Sequence, residues 1–258
     1  MAHDTVGRQL LYALILLVVV IFLLSRAWLR ERNEYRRFQR YRSTGPRQRR
    51  MRKWLLESFL VHGGTALSVV LLSWPYLAPL LEDSQSLPPV PWLKDAFASG
   101  FSTSAGTAMW IMVIVLTVVL VLPVLLLRGS APEDLTALGR VHALLPRNRN
   151  ELALGAALSV NAGIVEELLF RFGLPMLAYA ASGHAWAAWL VPTLLFGAMH
   201  AYQGVTGVIT TTILGALFGL IFLVSGSLLL VIVLHILFDV RSLVLLPVVA
   251  FGAHRKAN

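Results

Sequence analysis

Glu166, Glu167 and Arg171 are the charged residues of the stretch VEELLFR, which lies at residues 165–171 in a strongly apolar region. On a helix, Glu167 and Arg171 stand four residues apart, so they share a face and can pair. Glu166 points about 100° away from that face and is free for other work. An ionised side chain inside a bilayer costs roughly 2.5 to 17 kcal/mol, so residues of this kind indicate a functional site.

Two later stretches add polar groups to the same apolar half of the chain. His200 ends LFGAMH, and HILFD places His235 and Asp239 four residues apart on one helical face. Polar groups buried in a helix bundle must find partners, so we expect Glu166, His200 and His235 to converge on one cavity.

A glutamate beside a histidine can activate a water molecule, with the carboxylate taking the proton. A further polar group can hydrogen-bond the oxyanion that forms. We interpret Glu167 as the paired, structural carboxylate and Glu166 as the working base. The chain contains no cysteine, which excludes thiolate chemistry and disulfides. The pattern therefore indicates a hydrolase that uses neither a serine nor a cysteine nucleophile.

A divalent metal is the alternative use of these residues. Glu166, His200 and His235, with Asp239 nearby, resemble the ligands of a hydrolytic zinc site. The local HExxH spacing is missing, so the ligands would come from three helices. No cofactor is favoured, and zinc remains an open alternative.

Other polar or small residues within the apolar stretches are interpreted structurally. Glu57 and His62 are expected at the membrane interface, and Gly215 and Gly219 form a GxxxG that favours close helix packing. Arg241 is expected to reach polar groups of the bundle.

The composition explains where these residues must lie. The 258 residues are 57% hydrophobic and only 14% charged, which excludes an ordinary soluble domain. Long apolar runs predict an all-α, polytopic transmembrane helix bundle. We predict about seven spans, at roughly 9–28, 54–81, 103–127, 164–182, 185–201, 205–224 and 227–251.

The basic residues predict the orientation. The stretch from Arg26 to Lys53 holds twelve Lys and Arg, and positive-inside bias places it in the cytoplasm as a loop. The segment Arg128–Arg149 and the tail 252–258 follow it there, so the N-terminus is outside in a plasma or inner membrane. Residues 26–53 are expected to bind anionic lipid headgroups rather than nucleic acid.

The depth of His200 in the membrane limits where the span that carries Glu166 can begin. His200 lies near the cytoplasmic end of its predicted span, and Glu166 meets it only if its own span begins near Ile164. The preceding ELALGAALSVNAG then becomes an interfacial or re-entrant helix. The cavity is expected to open toward the cytoplasmic half of the membrane.

Three short blocks in this order resemble the CPBP family of intramembrane proteases, which includes the type II CAAX proteases and the bacteriocin-processing Abi proteins. The family pattern is EExxxR, FxxxH and HxxxN or HxxxD. This chain has EELLFR at 166–171, FGAMH at 196–200 and HILFD at 235–239. The resemblance covers residues 150–251 as a catalytic core and leaves residues 1–130 as an accessory region.

The resemblance implies an intramembrane endopeptidase that acts on a membrane-associated peptide or protein. The implied catalytic set is Glu166 and His200 to activate water, Glu167 and Arg171 to support the site, and His235 and Asp239 to bind the oxyanion or position the water. Where the family often has Asn, this chain has Asp239. We therefore expect one of three roles for the Asp239 carboxylate: it is protonated, it orients His235, or it ligates a metal.

Two other kinds of function remain as alternatives. A non-catalytic immunity or scaffold protein would keep the fold without turnover, although the intact motif set speaks against it. A transporter or proton relay would also use intramembrane Glu and His, but the sequence lacks an inverted repeat.

Overall fold

The structure is a computed structural model that describes residues 2–126 and 142–256, and within these ranges the chain is helical and contains no strand. The predicted all-α, polytopic bundle is therefore confirmed. Its helices are α1 Ala2–Ser25, α2 Arg32–Phe38, α3 Thr44–Glu57, α4 Gly64–Ser73, α5 Leu77–Ser84, α6 Pro89–Ala98, α7 Ser104–Leu126, α8 Arg149–Glu167, α9 Leu174–Ser182, α10 Ala185–Met199, α11 Val205–Ser225, α12 Leu228–Val240 and α13 Leu246–Phe251.

Several of these helices are joined end to end through π-helical turns into longer rods. The turns are Arg26–Glu31 between α1 and α2, Ser58–Gly63 between α3 and α4, Leu168–Gly173 between α8 and α9, and Arg241–Leu245 between α12 and α13. Turns of this kind are frequent at functional sites. Two of the four adjoin the candidate catalytic residues on α8 and α12.

Five helical rods within the described residues have the length and hydropathy needed to cross a membrane: Val6–Phe38, Thr44–Ser84, Arg149–Ser182, Val205–Ser225 and Leu228–Phe251. The predicted span at 185–201 corresponds to α10, a shorter apolar helix of 15 residues, which covers only about 22 Å of a core about 30 Å thick. The predicted span at 103–127 coincides with α7, which is not among the five. The count of seven is therefore not reproduced.

The first three rods are longer than a bilayer requires. They contain 33, 41 and 34 residues, or about 50, 62 and 51 Å of helix. The basic stretch from Arg26 to Lys53, predicted to be a loop, is largely helical and forms the adjoining ends of the first two rods. The sequence prediction missed these helical ends because hydropathy identifies a helix only by its apolar residues, and the ends consist mainly of charged residues.

These overhanging ends pack together at one end of the bundle. Tyr35, Phe38 and Met51 form a buried cluster with Leu154 and Leu158 of α8. Tyr202, two residues after His200, joins this cluster, and its ring centroid lies 5.2 Å from that of Tyr35. The His200 end of α10 and the basic stretch therefore lie at the same end of the molecule.

The predicted interfacial or re-entrant helix before Ile164 is wrong. Residues 149–182 form one uninterrupted rod, and the backbone of Leu168 at the junction remains in the right-handed helical region. The residues before Ile164 therefore continue the same helix and do not form a separate one.

The N-terminal rods share a hydrophobic core with the later ones. Leu23, Ala27, Ala66 and Val69 are buried in one cluster with residues of the rod at 149–182, among them Leu169, Phe170, Leu174 and Leu177. The division into an accessory region at 1–130, a core at 150–251 and a tail at 252–258 stays a prediction. Parts of the first and last of these segments lie outside the described residues.

Candidate active site

Glu167, the last residue of α8, joins two of the predicted site residues. Its Oε1 atom lies 2.6 Å from His235 Nδ1 on α12 and 3.1 Å from Arg171 Nη1, one turn further along its own rod. All three side chains are buried. An ionised carboxylate only accepts hydrogen bonds, so Nδ1–H donates to it and the imidazole is fixed in orientation. The predicted Glu167–Arg171 pair is present, and it extends to His235.

Aromatic rings surround the Arg171 guanidinium. Its Cζ atom lies 4.3 Å from the centroid of the Phe196 ring and 5.6 Å from that of Phe218. Its Nη2 atom donates to the backbone carbonyl of Gly215 at 3.4 Å. Cation–π contact and the carboxylate of Glu167 together hold a buried charge in place. This aromatic cage was not predicted from the sequence.

The outward-facing nitrogen of His235 approaches two further carboxylates. Its Nε2 atom lies 4.0 Å from Glu166 Oε2 and 3.8 Å from Asp239 Oδ2. Both distances are longer than that of a direct hydrogen bond. A water molecule or a polar group of a substrate, placed between the two atoms, can bridge a gap of this length. The arrangement places three carboxylates around one imidazole, with Nε2 as the atom available to a reacting molecule.

His200 reaches this cluster through Phe196. Its Nδ1 atom lies 2.8 Å from the Phe196 carbonyl and donates to it, so Nε2 carries the lone pair. The Phe196 ring centroid lies 4.8 Å from that of His200 and 6.2 Å from that of His235. No hydrogen bond or ion pair joins His200 directly to Glu166 in the described chain. The imidazole that approaches Glu166 is that of His235, at 4.0 Å.

Gly163 allows α8 and α12 to approach closely enough for these contacts. A Cβ atom at this position would lie 2.5 Å from Ile236 Cγ1 and 3.1 Å from the Ile236 backbone nitrogen. Only glycine fits, and Ile236 directly follows His235. The helix contact is thus made beside the site.

The N-terminal helices also reach α8 beside Glu166. Asn161 donates to Ser58 Oγ at 2.9 Å, and Ser58 Oγ lies 3.4 Å from His62 Nδ1. His62 was expected at the interface, but its Nε2 atom is buried inside the bundle. Glu57 forms an ion pair with Arg26 at 3.7 Å, on the basic overhang.

A fully buried ion pair that the sequence did not predict joins the basic stretch to the start of α8. Arg47 Nε lies 3.1 Å from Glu151 Oε1, and the same guanidinium donates to the carbonyls of Ala143 and Leu145 at 2.9 and 3.1 Å. Both side chains have 0% exposure. Sequence reasoning missed this pair because Arg47 is one of twelve basic residues between Arg26 and Lys53. Arg241, in contrast, lies over the Phe238 ring at 5.5 Å.

The structure brings three of the four residues considered as metal ligands close together. Glu166 and Asp239 face His235 Nε2, and His200 contacts the Phe196 ring, which also contacts His235. Among the residues that the structure describes, no three His, Asp or Glu side chains form a group suited to hold a metal ion, and the metal-dependent alternative stays a prediction.

The fold and this cluster define a polytopic helical membrane protein with a buried set of carboxylates and imidazoles. Residues 148–241 match the family model of the type II CAAX prenyl endopeptidase Rce1-like proteins. This part of the chain is therefore an Rce1-like domain, and the CPBP resemblance is confirmed. The match supports a function of the CAAX-type intramembrane protease kind, and it includes all six predicted site residues. No curated protein and no solved structure matches the chain.

Proposed function

We propose that this protein is an intramembrane endopeptidase that cuts a membrane-associated substrate with a water molecule activated by Glu166 and His200. The observation that carries the proposal is the Glu167–His235 hydrogen bond of 2.6 Å, which turns His235 Nε2 toward Glu166 and Asp239. An imidazole oriented by one carboxylate and facing a second is an arrangement suited to proton transfer and oxyanion binding.

In the proposed reaction, the water oxygen attacks the scissile carbonyl carbon while Glu166 takes a proton from the water. His200 Nε2 accepts a hydrogen bond from the same water, because its Nδ1 is already engaged with the Phe196 carbonyl. The carbonyl oxygen becomes an oxyanion. His235, protonated on both ring nitrogens among three carboxylates, donates a hydrogen bond to it from Nε2. The C–N bond then breaks, and Glu166 returns the proton to the leaving amine. The products are a new carboxylate and a new amine.

Glu167 and Arg171 are assigned a positioning role. Glu167 fixes the ring of His235, and the charge of Arg171 compensates that of Glu167 in surroundings where an unpaired ion is costly. Asp239 is assigned to position the attacking water beside His235 Nε2, a role that an amide can also fill.

The decisive experiment uses the purified full chain in nanodiscs with a C-terminally prenylated CAAX peptide, and mass spectrometry to locate the cut. Glu166→Gln and His200→Ala are each expected to abolish cleavage without unfolding the protein. Because a base and its partner act as a unit, the double variant should be little worse than either single variant. Glu82→Gln, at an exposed position outside the site, is the matched control and should cut normally.

Cleavage by Glu166→Gln at the wild-type rate would reject the mechanism. Loss of wild-type cleavage with a chelator, and its return with zinc, would favour the metal-dependent version instead. The same peptide without its prenyl group tests the substrate class: equal cleavage of both peptides would show that the prenyl group is not read. Binding without cleavage by the wild type would favour a non-catalytic role.

We also propose that the site opens on the cytoplasmic side. Support comes from the packing of Tyr202 on Tyr35, which puts the His200 end of α10 beside the basic stretch that charge bias assigns to the cytoplasm. Because the chain has no native cysteine, Ala201→Cys gives a direct test. An impermeant thiol reagent should label it from the cytoplasmic face, and labelling from the outer face would overturn the orientation.

A further inference from the structure

The overhang of the first two rods carries a basic cavity that takes no part in the proposed reaction. It has a volume of about 190 Å³ and is lined by Tyr41, Pro46, Arg49, Arg50 and Lys53. Three of the five lining residues are cations and a fourth ends in a hydroxyl group, so the lining is rich in hydrogen-bond donors. A concave set of donors of this kind suits an oxyanion.

Positive charge remains in excess at this cavity. Arg50 and Lys53 share the carboxylate of Glu34, at 3.0 and 3.7 Å, and Lys53 also lies 3.6 Å from Glu57. Arg49 is exposed and forms no ion pair in the described part of the chain. Within the described residues, the ion pairs of the stretch use only four carboxylates for its twelve Lys and Arg: Glu31, Glu34, Glu57 and Glu151. An anion at the cavity would therefore meet Arg49 as a cation without an ionic partner.

The cavity lies at the level of lipid headgroups. Leu56, Phe59 and Leu60 are 58%, 61% and 59% exposed and begin the lipid-facing surface of this rod. Along the helix, Lys53 lies about 5 Å and Arg49 about 10 Å before Leu56. The polar region of a leaflet is about 5 to 8 Å thick, so the backbone of Lys53 falls within it. The backbone of Arg49 lies just beyond it, within reach of a long side chain that extends back toward the headgroups.

We propose that this cavity binds the phosphate group of an anionic lipid headgroup. Arg49 offers a planar pair of N–H donors that matches two phosphate oxygens, while Lys53 and the Tyr41 hydroxyl close the site from its sides. The acyl chains of the same lipid would lie along Leu56 and Phe59, which binds the lipid more tightly than its headgroup alone.

The test is native mass spectrometry of the full chain in detergent, titrated with dioctanoyl phosphatidate or dioctanoyl phosphatidylcholine. Arg49→Gln should weaken phosphatidate binding about fivefold. Arg52→Gln removes the same charge from an exposed position of the same helix outside the cavity, and it should weaken binding less than twofold. Tyr41→Phe should cause a smaller loss than Arg49→Gln. Thermal unfolding followed by tryptophan fluorescence shows whether each variant is folded.

Several results would overturn the site. Equal weakening by Arg49→Gln and Arg52→Gln would mean diffuse charge attraction. Equal binding of phosphatidylcholine, whose phosphate charge is offset by choline, would mean that the cavity does not select an anionic headgroup. Inorganic phosphate should compete at least tenfold more weakly than phosphatidate, and equal competition would assign the cavity to free phosphate. A single-stranded oligonucleotide that displaces phosphatidate at lower concentrations than the lipid itself would assign it to nucleic acid.

Discussion

Gly163→Ala should disturb both stability and activity, because this glycine sets the distance between α8 and α12. The new Cβ atom would lie 2.5 Å from Ile236 Cγ1, 3.1 Å from the Ile236 backbone nitrogen and 3.2 Å from the Ile232 carbonyl oxygen. The isoleucine side chain can turn away, but the two backbone atoms move only with their helix. Carbon atoms pack at about 3.5 to 4.0 Å, so α12 must shift by several tenths of an ångström.

The size of the effect follows from that shift. Overpacking of this kind costs about 1–3 kcal/mol, and 1 kcal/mol lowers the melting temperature of a chain of this length by roughly 2–4 °C. His235 precedes Ile236, so its 2.6 Å hydrogen bond to Glu167 would lengthen as well. A misplacement approaching 1 Å at a catalytic group can reduce the rate about a hundredfold, and we expect a loss of ten- to a hundredfold.

The measurements are thermal unfolding by tryptophan fluorescence and peptide cleavage in nanodiscs. Gly64→Ala is the matched control, since it also lies in a helix but a Cβ there meets nothing within 4 Å. Alanine has less backbone freedom than glycine in the unfolded chain. The Gly64→Ala protein should therefore be as stable as the wild type, or more stable by about 0.4–1 kcal/mol. Wild-type stability and cleavage in Gly163→Ala would refute the close contact and, with it, the geometry of the site.

Substitutions at three further positions, with Gly219 as a control, probe the same cluster. Gly215→Ala should lower cleavage, because its Cβ would lie 3.0 Å from the Phe196 ring and 3.4 Å from Arg171 Nη2, whereas Gly219→Ala meets only Trp189 at 4.0 Å and should behave as wild type; equal effects would contradict the aromatic cage. Arg171→Ala should destabilise the fold by about 3–5 kcal/mol, measured by thermal unfolding, since it leaves Glu167 buried without its charge partner; an unchanged melting curve would remove that supporting role. Asp239→Asn should retain most cleavage in the peptide assay and Asp239→Ala should lose it, and total loss in the Asn variant would show that the carboxylate itself is required.

The parts of the site that lie within one helix could be predicted from the sequence. Spacing of four residues predicted that Glu167 would meet Arg171 and that His235 would share a face with Asp239, and both relations depend only on helix geometry. The hydrogen bond from His235 to Glu167 depends on how α8 packs against α12. Helical spacing does not report which face of one helix meets which face of another.

The fold class, a polytopic helix bundle, could also be predicted from the sequence, but the lengths of its helices could not. Apolar runs located the membrane-crossing parts, because burial in lipid requires them. The charged ends of the same rods were not predicted to be helical, because Arg26–Lys53 has the composition of a loop. Tertiary packing keeps this stretch helical. Gly163 illustrates the same limit: it was included in a separate segment before the span, whereas it is the point at which two continuous helices touch.

The Arg47–Glu151 pair shows that the segment matched by the family model is smaller than the part of the chain that folds together. The matched family segment begins at residue 148, yet Glu151 receives its charge partner from a residue 104 positions earlier. A fragment that starts at 148 would carry a carboxylate shaped for burial and no cation to meet it. Arg47 is synthesised before Glu151, so the cation is already part of the chain when α8 emerges. The folding unit therefore reaches into the first two rods, beyond the segment that bears the CPBP-like motifs.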